Sequence, residues 1–186
     1  MNNLKIELEK TKTLIPRYLV PENTRPSYYI HSGFVFTTLT HPYLQTIYGS
    51  NWENNPHTPF DFVNVWYDDV PEFVGQQVVV LSHALTSELT SDLEFNNELL
   101  RSVNEVKVKN LTHLYQMVET AMAKQSPKFL TFQLGSRNVT IVTDLEKARK
   151  EENMILKDNS IPAKASDDLL AVAVYNNNQN RHYYAS

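Results

Sequence analysis

Residues 77–85 read Gln-Val-Val-Val-Leu-Ser-His-Ala-Leu, and a run this continuously apolar has to be covered on both faces if it is a strand. No stretch of the chain approaches a membrane span, so the cover has to come from the rest of the fold. A strand of this kind sits inside a sheet with a neighbour on each side. The remaining segments are read by asking which of them supply the neighbours and which the cover.

Several segments read as neighbours. Tyr29 to Leu39 is rich in aromatic and β-branched residues and is interrupted only by His31-Ser32-Gly33, which predicts a strand entered through a tight glycine-containing turn. Leu99 to Val108 predicts further extended chain with a turn at Asn104-Glu105. Phe129 to Leu134 and Val139 to Thr143 flank Gly135-Ser136-Arg137-Asn138 and predict a hairpin with a four-residue loop. At the start, Leu4, Ile6 and Leu8 alternate with Lys5, Glu7 and Glu9, the period of a half-buried strand.

Two helices supply cover. Asn110 is placed to cap a helix in which Leu111, Leu114, Tyr115 and Val118 fall on one face. Asp144 caps a second, charged helix reaching Leu156. Between Thr11 and Tyr28 the prolines at 16, 21 and 26 forbid a helix and predict an extended linker. Tyr48 to Gly75 mixes Asn, Pro, His and Asp with both tryptophans and reads as a long surface loop, with Trp52, Phe60 and Trp66 as an exposed aromatic patch. The run Asn176 to Asn180 is too polar to bury and predicts a mobile end.

Composition narrows the chemistry. The chain has 186 residues, 41% hydrophobic and 20% charged, enough for one core or at most two. With four glycines and no Gly-rich phosphate motif, nucleotide binding is not expected. A net charge of −4 argues against a polyanion partner, which needs clustered cations. The absence of cysteine removes disulfides, thiolate metal sites and cysteine nucleophiles together. Met1 to Lys10 contains no apolar signal core, and compartment is not legible.

No turn of the GxSxG kind offers a nucleophilic serine beside an oxyanion hole. The six histidines, at 31, 41, 57, 83, 113 and 182, do not pair at helical metal-site spacing, so no metal or other cofactor is expected. His31 and His41 flank a strand and read as surface groups sensitive to pH, or as ordinary hydrogen-bonded structural residues. Catalysis by His31 or His113 with a nearby carboxylate is the enzymatic alternative. Asp68-Asp69, Glu151-Glu152 and Asp167-Asp168 are adjacent pairs whose side chains diverge, which suits a solvated face.

The order of these elements is specific. Pro26-Ser27-Tyr28-Tyr29-Ile30 with Gly33-Phe34-Val35-Phe36 and Pro42-Tyr43, then Gln77 to Ser82, Val103-Asn104, Val106 to Leu111, Met117-Val118-Glu119, Phe129-Leu130 and Ile161-Pro162 together resemble the C-terminal PDZ-type domain of the Deg/HtrA (DegP-like) serine proteases of plants, protists and some bacteria. The resemblance runs from about Lys12 to Leu170. It implies an α+β fold, a PDZ-like partly open antiparallel β-barrel or sandwich with two main helices. It also implies four parts: residues 1–13 as the end strand of a preceding domain or an N-terminal extension, 14–28 as a proline-containing linker, 29–172 as the PDZ-like domain and 173–186 as a polar tail.

In such domains a peptide is added as a strand between a sheet edge and a helix, its terminal carboxylate held by amides at a glycine turn. Carried over, the resemblance implies contacts at Ser32, Gly33, Phe34, Val35 and Phe36 on the loop and edge strand and at Leu111, Tyr115 and Val118 on the helix. Partners would be peptide or unfolded-protein termini, or neighbouring subunits in a homo-oligomer, in a regulatory or assembly role with the protease domain upstream. One competing reading makes Phe34 and Phe36 core residues and Gly33 only a turn; another makes the chain a free-standing interaction adaptor with a self-occluded or vestigial groove, the loop from Tyr48 to Gly75 folding over it. Two departures stand out: Glu105 where the family has glycine, which argues for a different turn type, and the absence of the expected glycine over Thr90 to Leu93.

Overall fold

A computed structural model describes residues 13–18, 25–68, 70–87, 90, 96–135 and 139–171. The strand expected at Leu4 to Leu8, the glycine-free stretch beyond Thr90 and the asparagine-rich end lie outside the described residues. Among those described there are seven strands and four complete α-helices, and residues 167–171 are also helical. The expected α+β organisation is observed, and the antiparallel sheet is open rather than closed into a barrel.

The strands are β1 (Tyr28–His31), β2 (Phe34–Thr38), β3 (Val79–Ala84), β4 (Glu98–Val103), β5 (Val106–Lys107), β6 (Phe129–Leu134) and β7 (Val139–Asp144). They run β1-β2-β3-β4-β6-β7, with β5 a short ribbon on β4. The segment expected as one strand from Tyr29 to Leu39 is two. His31 pairs with Phe34 and Tyr28 with Thr37, and the turn between has Ser32 at φ 52° and Gly33 at φ 83°, the left-handed pair that matches strand twist. The β4–β5 turn is built the same way, with Asn104 at φ 46° and Glu105 at φ 66°. The departure at Glu105 therefore leaves the turn's geometry in place, with a side chain in a region that usually favours glycine.

Helices cover both faces of the sheet. Val79 and Leu81 of β3 belong to one buried cluster, and Val80, with Val78 just before the strand, to another, as the alternation of a strand requires. The apolar run thus has the two-sided burial that its composition demands. The first cluster is closed by α3 (Leu111–Lys124) and α4 (Leu145–Asp158). Asn110 caps α3 by accepting the His113 amide at 2.8 Å, and Asp144 caps α4 by accepting the Glu146 and Lys147 amides. Both caps fall where the sequence places them.

The second cluster overturns the expectation of a long surface loop. His41–Tyr48 is a helix, α1, and Phe60–Tyr67 another, α2, with a 3-10 turn at Trp52–Asn54 between them. Thr40 caps α1 by accepting the Tyr43 amide. Trp52 and Phe62 are buried with Leu39, Leu44, Val80 and Leu99. Trp66 meets Trp52 edge-on at 5.2 Å and stacks on His41 at 5.1 Å, with the Arg17 guanidinium 4.7 Å above it. Of the aromatic patch expected at the surface, only Phe60 is strongly exposed. Leu14 and Ile15 are buried in the same cluster, and Pro16 accepts the His41 amide, so the start of the segment expected as a linker packs into the body.

Candidate functional site

All eight residues expected to touch a peptide are buried, and β2 is not an edge. Exposure is 2% at Ser32, 2% at Phe34, 9% at Val35 and 1% at Phe36, and on α3 it is 1% at Leu111, 6% at Tyr115 and 0% at Val118. β2 pairs with β1 on one side and β3 on the other. Phe36 stacks on Phe132 at 5.5 Å. Phe34 and Phe36 of β2 and Leu111, Tyr115 and Val118 of α3 share one buried cluster with Tyr29 of β1, whereas Ser32, Gly33 and Val35 lie outside it.

The glycine turn is covered as well. The Leu85 amide donates to the Gly33 carbonyl at 2.8 Å. A Cβ at Gly33 would lie 3.2 Å from Thr90 Cγ2 and 3.3 Å from Ser87 Oγ. Ser32 Oγ is buried without a hydrogen-bond partner. The turn is therefore packed against Leu85, Ser87 and Thr90.

β1 pairs with β2 and packs on α3. Tyr29 packs edge-on against Tyr115 at 5.2 Å and donates its hydroxyl to Glu119 Oε1 at 2.8 Å. Burial and then Glu119 push the Tyr29 phenol well above its ordinary range, so it stays a donor. Outside β1 comes a further layer of the same chain. Tyr29 bridges antiparallel to Ala165, and Lys164 reaches Glu119 of α3 at 2.8 Å and Glu152 of α4 at 3.3 Å.

Among the described residues, the hydrogen-bond partners of the His31 and His113 rings are a threonine hydroxyl and a backbone amide. His31 is 1% exposed, not a surface group; its Nε2 pairs with Thr143 Oγ1 at 3.2 Å and its Nδ1 has no partner. Burial, reinforced by Lys164, lowers its pKa to about 3, so it is neutral at ordinary pH. His113 Nδ1 accepts the Lys109 amide. Among the described residues no three His, Asp or Glu side chains gather in a group that could hold a metal ion, and no helix is long and apolar enough to cross a membrane.

Residue-level reading missed Tyr29, Glu119, Glu152 and Lys164 as members of this region. Glu119 carried a signal, since it stands four residues after Tyr115 on the same helical face. Lys164 carried none, because only the return of the chain after α4 brings it to β1.

A family model described as PDZ domain matches residues 18–168. Putative protease Do-like 13 of Arabidopsis thaliana is 30% identical over 171 residues, 91% of this chain and 28% of that protein. Protease Do-like 2, chloroplastic, of the same plant is 32% identical over 162 residues, 84% of this chain and 25% of that protein. Serine protease DegP homolog of Plasmodium falciparum is 28% identical over 122 residues, 64% of this chain and 13% of that protein. The chain thus spans about a quarter or less of the curated relatives it resembles.

Proposed function

The chain belongs to the PDZ domain family, with relatives among the Do-like and DegP proteases, and from that premise we propose that it is a non-catalytic regulatory or assembly domain of such a protease, its peptide slot closed by its own first strand. The carrying observation is the position of β1, which pairs with β2 along its whole length and packs Tyr29 on Tyr115. Ser32, Gly33, Phe34, Val35, Phe36, Leu111, Tyr115 and Val118 then serve to hold that strand. A peptide terminus reaches them only where β1 gives way, at the cost of its ladder and of a buried tyrosine. The domain accordingly works through its outer surfaces, toward neighbouring subunits of the protease or toward protein substrates.

Titrating the chain with fluorescent peptides bearing free C-termini, and with their amides, tests the closed slot. The expected result is no saturable binding below millimolar concentration; micromolar binding that is lost on amidation overturns it. Deleting residues 25–171 from the whole protease tests the role. A changed assembly state by sedimentation, or a changed rate on unfolded protein with the rate on a short peptide preserved, is expected. No change in either overturns the assignment.

A further inference from the structure

β1 closes one slot and creates a new edge. It is the terminal strand of the sheet, and a terminal strand presents unpaired amides and carbonyls to any extended chain. Here that edge is occupied by residues 163–166. The Ile30 amide donates to the Lys164 carbonyl at 2.7 Å and the Ser166 amide to the Tyr28 carbonyl at 3.0 Å. Tyr28 adds its hydroxyl, donated to the Ala163 carbonyl at 3.0 Å, and its amide, donated to Ser166 Oγ at 3.1 Å.

The side chains of the occupant are held selectively. Ala165 is 1% exposed, so the seat is cut for a small residue. Lys164 Nζ lies between Glu119 Oε2 and Glu152 Oε2, and the side-chain exposures are 25% for the lysine, 27% for Glu119 and 17% for Glu152. The two carboxylates come from different helices and converge on one cation in a half-buried setting, where an unpaired charge is costly. Burial raises the Glu152 pKa and Lys164 opposes that rise. The seat therefore reads backbone through β1, size through the Ala165 position and charge through the acidic pair.

We propose that the outer edge of β1, flanked by Glu119 and Glu152, is a strand-docking site for an extended segment of a partner protein with a lysine between two small residues, and that residues 163–166 are its resident occupant. The site is separate from the slot between β2 and α3. The resident is tethered on one side by α4 and on the other by Leu169, which is 1% exposed. It competes at the high effective concentration of an intramolecular ligand. A partner engages by displacing it.

The test uses a capped fluorescent peptide spanning residues 161–168 of this sequence and the same peptide with its lysine changed to methionine. The recipient is the chain carrying Lys164→Met, which keeps the aliphatic stem and removes the charge. The lysine peptide is expected to bind saturably, at least tenfold tighter than its methionine form, and adding Glu119→Gln to the recipient is expected to erase that preference. Equal binding of the two peptides, or no binding by a recipient that is folded by circular dichroism, overturns the proposal. If Lys164→Met does not fold, hydrogen exchange of the wild type in millimolar peptide decides: faster exchange in residues 163–169 with the lysine peptide alone supports the site, and unchanged exchange overturns it. Both capped peptides lack a free C-terminal carboxylate, so a failure here leaves the closed slot standing, and a failure of the closed slot leaves this result readable.

Discussion

At His31 a titratable ring is buried without a partner for one of its nitrogens, and its pKa falls from 6.5 to about 3. The folded chain thus holds the ring neutral, while the unfolded chain takes up a proton near 6.5. Stability from this group is present above pH 6.5 and is lost as pH falls toward 3, at about 1.4 kcal/mol per unit. Urea midpoints at pH 7.0 and 4.5 are expected to show a larger acid loss in the wild type than in His31→Gln. An equal loss would place the acid sensitivity in the carboxylates instead. The residue type was legible in the sequence, but not the burial, which comes from Phe132 and Thr143 on strands a hundred positions away.

Helix α3 is the element on which the site region rests, since it carries Leu111, Tyr115, Val118 and Glu119. Its start depends on Asn110, whose Oδ1 accepts the His113 amide at 2.8 Å and whose Nδ2 donates to the Gly75 carbonyl at 2.9 Å. Asn110→Ala is expected to cost about 1–2 kcal/mol, measured as a lower urea midpoint with an unchanged slope. The periodicity of α3 and α4 and their caps were readable because a cap and a stripe are local signals. Helices α1 and α2 were not read, although Thr40 before His41-Pro42 is a start signal and Phe62, Val65 and Trp66 recur at helical spacing. Asparagine and proline between them outweighed two helices of eight residues each, too short to show a full period.

Across the whole molecule, two cores on opposite faces share the central strands. The smaller core hangs on Trp52, 1% exposed and locked against Trp66. Trp52→Ala is expected to cost about 3–5 kcal/mol, read as a fall in melting temperature with loss of the near-ultraviolet circular dichroism of the tryptophan cluster. A small change in both would mean that this face contributes little to the fold. The sequence by itself determined the strands from β2 to β7, the long helices and their caps, and a central strand covered on both sides, because hydrophobic period, turn residues and capping side chains act over a few positions. Only the tertiary structure decided what lies beside β2. Two residues of positive φ at Ser32 and Gly33 fold β1 back onto it, and the chain's return after α4 sets Lys164 between Glu119 and Glu152. Whether a strand has a free edge is a property of its neighbours in space, and these neighbours arrive from both ends of the domain.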